Sequence, residues 1–86
     1  MPEFPKYVGI LNPITQKWSS ALALNHVKDD IAQYDRPANT GAWCLTATWV
    51  NGELIVKDCL AGHLIGRTLI SITEQEFRND NSLDAS

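Results

Sequence analysis

The chain has no long apolar run, no cluster of basic residues and no Cys-x-x-Cys pair. Each absence excludes something. No segment approaches the roughly 20 apolar residues of a membrane-spanning helix, so no membrane partner is expected. The start, Met1-Pro2-Glu3-Phe4-Pro5-Lys6, lacks the basic and apolar regions of a secretory signal. A cytoplasmic protein is therefore expected, in which two cysteines stay reduced. The seven Lys and Arg residues are scattered, and the net charge is −3. Nucleic acid is not the expected partner, because binding its backbone needs a clustered cationic face. No phosphate loop, nucleophile elbow or His-Glu-x-x-His motif is present, so no catalytic residue, metal or cofactor is assigned. No internal repeat suggests a solenoid or propeller.

What is present is one ordinary globular composition, 44% hydrophobic and 20% charged over 86 residues. Residues 1–78 read as one small domain, and the polar residues 79–86 as a disordered tail.

The strongest local signal is Asn51-Gly52 between two alternating runs. It predicts a two-residue hairpin with a type I′ turn, in which both loop residues take positive φ. The turn sets the register. Val50 faces Glu53, Trp49 faces Leu54, Ala47 faces Val56 and Trp43 faces Leu60. Trp43, Leu45, Ala47, Trp49, Leu54 and Val56 share a core face, while Thr46, paired with Lys57, and Thr48, paired with Ile55, lie on the other. Continued outward, the count sets Cys44 opposite Cys59, within disulfide reach. Asp58 is the misfit, because it falls on the core face, where a lone carboxylate is costly. Either the strand frays there, or a bulge turns Asp58 out and breaks the cysteine alignment.

Tyr7 to Leu11 reads as a strand, with Gly9 marking a bulge or a close backbone approach. Ser19 to Tyr34 reads as a helix, with Leu24, Val27, Ile31 and Tyr34 in a stripe at three- and four-residue steps. The alternative pairs Trp18 to Leu24 with Tyr7–Leu11 and keeps a helix only from His26 to Tyr34. His63 to Thr73 reads as a third strand, antiparallel to the second, with a bulge at Gly66. Thr73-Glu74-Gln75-Glu76 matches a capping box and predicts about one helical turn. The fold class expected is α+β, an antiparallel sheet of three to five strands with one main helix on one face.

The function expected is a small non-enzymatic binding or regulatory domain that docks on another protein or on itself as a homodimer. Trp18, expected in a loop, is the candidate aromatic anchor, with His63 and Arg67 as further binding residues. Two alternatives stand beside it. One is an enzymatic or ligand-binding pocket between helix and sheet, using His26, Asp30 and Tyr34. The other is a thiol or metal switch at Cys44 and Cys59, with His63 as a third ligand.

Overall fold

Six strands, each antiparallel to the next, follow one another along the chain, and the last pairs with the first. The computed structural model describes residues 3–38 and 44–83. The strands are β1 (Tyr7–Leu11), β2 (Trp18–Lys28), β3 (Ile31–Asp35), β4 (Cys44–Val50), β5 (Glu53–Cys59) and β6 (Thr68–Ser71). β6 closes the sheet through Val8–Ser71, Gly9–Ile70 and Ile10–Leu69, giving a barrel. A 3-10 turn, Gly62–Leu64, precedes β6, and α1 (Glu74–Asp80) follows it.

This corrects the expected α+β sheet of three to five strands with a main helix. The segment read as that helix is the hairpin β2–β3. Its ladder runs from Ala23–Asp35 and Leu24–Tyr34 to Lys28–Ile31, around the turn Asp29-Asp30. Asp29 takes φ 55°, a left-handed value that Asp tolerates better than most side chains. One step of the helical stripe, Leu24 to Val27, has a physical origin in a bulge at Asn25, between the pairs of Leu24 and His26, whereas Ile31 faces outward with Lys28. A bulge adds one residue to the two-residue strand repeat, so Leu24 and Val27 share a face three positions apart. The pairing of Trp18–Leu24 with Tyr7–Leu11 is realised as β1–β2.

Inward positions of all six strands fill the barrel. Val8, Ile10, Leu22, Ala32, Tyr34, Leu45, Ala47, Leu54, Val56, Cys59 and Leu69 form one buried cluster, with Trp49, Leu24 and Phe4 packed against it. Tyr34 is the largest fully buried side chain. Its hydroxyl donates to the Pro5 carbonyl at 2.7 Å, so the N-terminal arm is tied to the barrel interior. Burial pushes the Tyr34 phenol far above its ordinary range. The Phe4 ring lies 6.0 Å from that of Trp49.

The hairpin turn forms as expected. Asn51 takes φ 51° and Gly52 φ 82°, and Val50–Glu53, Trp49–Leu54 and Ala47–Val56 are paired. Beyond Ala47 the register shifts, so Thr46 faces Asp58 and Leu45 faces Cys59. Lys57 is the extra residue. This is the bulge that relieves Asp58 of a core position, and Asp58 is exposed. Trp43 and its expected pairing with Leu60 lie outside the described residues.

The expected long third strand is shorter, with only Thr68–Ser71 in the ladder. Gly66 nevertheless bulges as expected. Its N–H donates to the Val56 carbonyl while Val56 N–H donates to the Arg67 carbonyl, both at 2.9 Å. Two residues thus oppose one, with Gly66 at φ 92°.

α1 is packed across β1 and β2. Thr73 caps it in a reciprocal box with Glu76. The helix runs through Asn79 and Asp80, and Asn81 beyond it is buried. Residues 79–83 of the expected disordered tail thus belong to the helix and its closing turn, where Leu83 N–H donates to the Arg78 carbonyl at 2.9 Å, and 84–86 lie outside the described residues. A second bulge in β2 explains the docking. Ser20, at φ 56°, and Ala21 together oppose Gly9, which frees the Ala21 amide from the ladder. Ala21 N–H donates to Asp80 Oδ2 at 2.8 Å. The Ala21 carbonyl accepts from Arg36 Nη1 at 3.1 Å and from Asn81 Nδ2 at 3.0 Å. Arg36 also pairs with Asp80 at 2.5 Å.

Candidate binding surface

Small barrels are filled by their own side chains, and this one is packed with the cluster around Tyr34. A ligand is therefore met on the outside. There, alternation along β2–β5 sets one polar residue of each strand side by side. His26 pairs with Gln33, Gln33 with Thr46, and Thr46 with Asp58. Neighbouring strands lie roughly 4.8 Å apart, so this row runs for about 14 Å along the curved wall of the barrel. All four are exposed or half-buried, whereas their sequence neighbours Ala32, Tyr34, Leu45, Ala47 and Cys59 are buried. The next row is mixed, with Lys28 paired to Ile31 and Thr48 paired to Ile55.

Two shallow depressions lie along this face. One, of about 210 Å³, is lined by Cys44, Leu45, Thr46, Asp58, Cys59 and Leu60. The other, of about 300 Å³, is lined by His26, Lys28, Asp29, Ile31, Gln33 and Thr46. Thr46 lines both, so they adjoin. Two bulges shape the row: Asn25 brings His26 opposite Gln33, and Lys57 brings Asp58 opposite Thr46. Asp35 braces the middle. Its carboxylate accepts from Asn25 Nδ2 at 2.5 Å and from Gln33 Nε2 at 3.4 Å. At the far edge, Thr48 Oγ1 donates to the Asp30 carbonyl at 3.0 Å, joining the two hairpins. The face thus combines hydrogen-bonding groups of both kinds with apolar Ile31, Ile55 and Leu60.

The residues singled out in the sequence are distributed differently. Trp18 opens β2 rather than lying in a loop. Its half-buried ring covers Gly9 and packs with Ala21, Ile72 and Phe77. Together with Glu76, Asn79 and Asp80 it lines a third depression of about 390 Å³ beside α1. The Thr73 amide and hydroxyl and the Trp18 side chain outweigh desolvation and hold the Glu76 carboxyl below its ordinary value. His63 is exposed in the 3-10 turn, and Arg67 is half-buried just before β6. No contact joins either of them to Trp18 among the described residues.

Cys44 and Cys59 are free thiols. They are offset by one register step, because Leu45 takes the place opposite Cys59. Cys59 joins Leu45 in the buried cluster, while Cys44, of opposite parity, is half-exposed. The expected cross-strand alignment is therefore lost. Among the described residues, no group of three or more His, Cys, Asp or Glu side chains is disposed to hold a metal ion. The residues of the alternative pocket are separated too: Tyr34 points into the barrel and bonds Pro5, while His26 is on the outer face. Among the described residues there is no helix between them to wall a pocket.

The sequence reading named His26 and Asp58 for other reasons and passed over Gln33 and Thr46. The alternation of Cys44–Val50 did carry a signal, since it set Thr46 and Thr48 outward. No family model matches the chain, and no curated protein or solved structure matches it. None of the described helices is long and apolar enough to cross a membrane.

Proposed function

We propose that the protein is a non-enzymatic binding module that docks a protein surface through the outer face of β2–β5. The observation that carries this is the continuous row His26–Gln33–Thr46–Asp58, flanked by half-exposed Ile31 and Ile55. Among the described residues the filled barrel shows no deep cavity for a small substrate, and shallow mixed faces suit macromolecular partners. Closure also removes the open sheet edge to which a further strand adds, which leaves the face as the docking element. Inward apolar and outward polar positions are the reverse of a lipid-facing barrel, and the two free, offset thiols suit a reducing compartment such as the cytosol.

The test is site-resolved photocrosslinking in the living host. A photoreactive residue replaces Thr46 in one strain and exposed Gln75 on α1 in another. The reading predicts a discrete protein adduct from position 46, lost with Asp58→Lys and absent from position 75. Equal adducts at both positions, or none at position 46, would contradict it.

A further inference from the structure

We infer that the barrel mouth beside the Asn51-Gly52 turn is a binding site for a neutral aromatic peptide segment, and that the chain's own Phe4-Pro5 fills it until that ligand arrives. The inference goes beyond the outer-face reading and does not rest on it. β1 starts at this mouth, and the turns Asp29-Asp30 and Asn51-Gly52 border it. β1 and β4 stand across the six-strand ring from each other. The arm before Tyr7 bridges that gap, since the Phe4 ring lies 6.0 Å from the ring of Trp49 on β4. Phe4 packs against the buried cluster and is itself half-buried, so the arm is the outer cover of the mouth.

Two observations mark the arm as an occupant of the mouth rather than part of its wall. Its attachment is slight. The Tyr34 hydroxyl donates to the Pro5 carbonyl at 2.7 Å, and the Leu24 N–H donates to the Lys6 carbonyl at 2.8 Å. Glu3 and Phe4 make no hydrogen bond among the described residues. Its fit is also incomplete. Trp49 Nε1 is buried and has no acceptor among the described residues. Buried donors are rarely left so, because an unpaired one keeps the full cost of losing water. The mouth thus offers a slot for a ring and two donors, and the arm satisfies one of them. A peptide segment with an aromatic residue can satisfy both. Its ring replaces Phe4 against Trp49, one carbonyl accepts from Tyr34 as Pro5 does, and a second accepts from the Trp49 indole. Charge selects a neutral segment. Lys6 and Lys28 stand near the mouth, but so do Glu3, Asp29, Asp30 and Glu53, and a carboxylate is repelled there. A short tether holds the arm at an effective concentration of about millimolar, so the second hydrogen bond is what lets an untethered segment displace it.

The probe is N-acetyl-phenylalanyl-prolinamide, which copies Phe4-Pro5 with both ends blocked and no charge. It is titrated to millimolar concentration into the full chain and into Phe4→Ala. The Trp49 indole N–H is followed by nuclear magnetic resonance, its signal assigned with Trp49→Phe. Circular dichroism checks the fold of the variant, and Phe4→Leu takes its place if that fold is lost. With the tethered ring removed, the variant should bind the probe at least about tenfold more tightly than the parent. The indole N–H should move downfield as it gains an acceptor. Tyr34→Phe in the same background should weaken binding several-fold, and N-acetyl-alanyl-prolinamide should not bind. An indole signal that the probe leaves unmoved overturns the inference. So does a variant that binds no more tightly than the parent, or one that takes both probes alike. These readouts involve neither Thr46 nor Asp58, so the outer-face reading stands or falls separately.

Discussion

Gly9 shows how one residue settles the packing of a whole side of the barrel. A Cβ built on it would lie 2.6 Å from Trp18 Cε3 and 2.9 Å from Trp18 Cβ. The second of these is close to the backbone, so the indole cannot swing clear as a flexible tip would. Trp18 is held in turn by Phe77, Ile72 and Ala21. Gly9→Ala is therefore expected to lower unfolding stability by about 1–3 kcal/mol, the usual cost of overpacking. Urea titration followed by tryptophan fluorescence measures it. Combining Gly9→Ala with Trp18→Leu should cost less than the sum of the two, because contacting sites couple. Strict additivity would mean that the ring does not rest on Gly9. The irregularity expected at Gly9 was legible in the sequence, but the extra residue lies on the facing strand, where Ser20 and Ala21 oppose Gly9, and what comes close to Gly9 is the Trp18 side chain rather than another backbone. What Trp18 does was not legible, because the ring's position depends on α1, some sixty residues downstream.

At the scale of elements, legibility followed locality. The Asn51-Gly52 turn and the Thr73–Glu76 capping box are complete within four residues, and both form where expected. The hairpin β2–β3 is hidden for three local reasons. Its turn, Asp29-Asp30, has no glycine or asparagine. Its Ala-Leu-Ala-Leu run favours helix in isolation. Its bulge at Asn25 converts a strand repeat into helical spacing. Tertiary pairing with β1 and β4 overrides all three. The attachment of α1 also depends on distant partners, and it makes a pH prediction. Desolvation pushes the Asp80 carboxyl up, but the Ala21 N–H and the bond and charge of Arg36 outweigh it and hold the group below its ordinary value. A carboxyl depressed in the folded state stabilises fully above its unfolded pKa, about 3.9. That stability is lost as pH falls from there through the folded value. Asp80→Asn should therefore lower the melting temperature at neutral pH and flatten its fall below about pH 4. A variant whose acid limb is as steep as the parent's would show that Asp80 does not clamp the helix.

At the scale of the whole molecule, closure is what moves the candidate site. An open sheet of three to five strands would have offered an edge and a helix-covered pocket. A closed, filled barrel offers neither and leaves its outer faces. Of these, the side under α1 is occupied by Trp18, Phe77 and the Arg36–Asp80 clamp. The face of β2–β5 is not covered by any described element, and it is the face with an unbroken row of hydrogen-bonding side chains. Asp58 was the one visible hint: a carboxylate that did not fit the core register, and the bulge that frees it places it at the end of that row. The most direct measurement is a comparison of amide correlation spectra of the labelled protein in clarified host extract and in buffer. Shift changes or line broadening are predicted at His26, Gln33, Thr46 and Asp58, with Glu74 to Asp80 unmoved. Changes centred on α1 or on Gly62–Leu64, or spectra identical in extract and in buffer, would contradict the account.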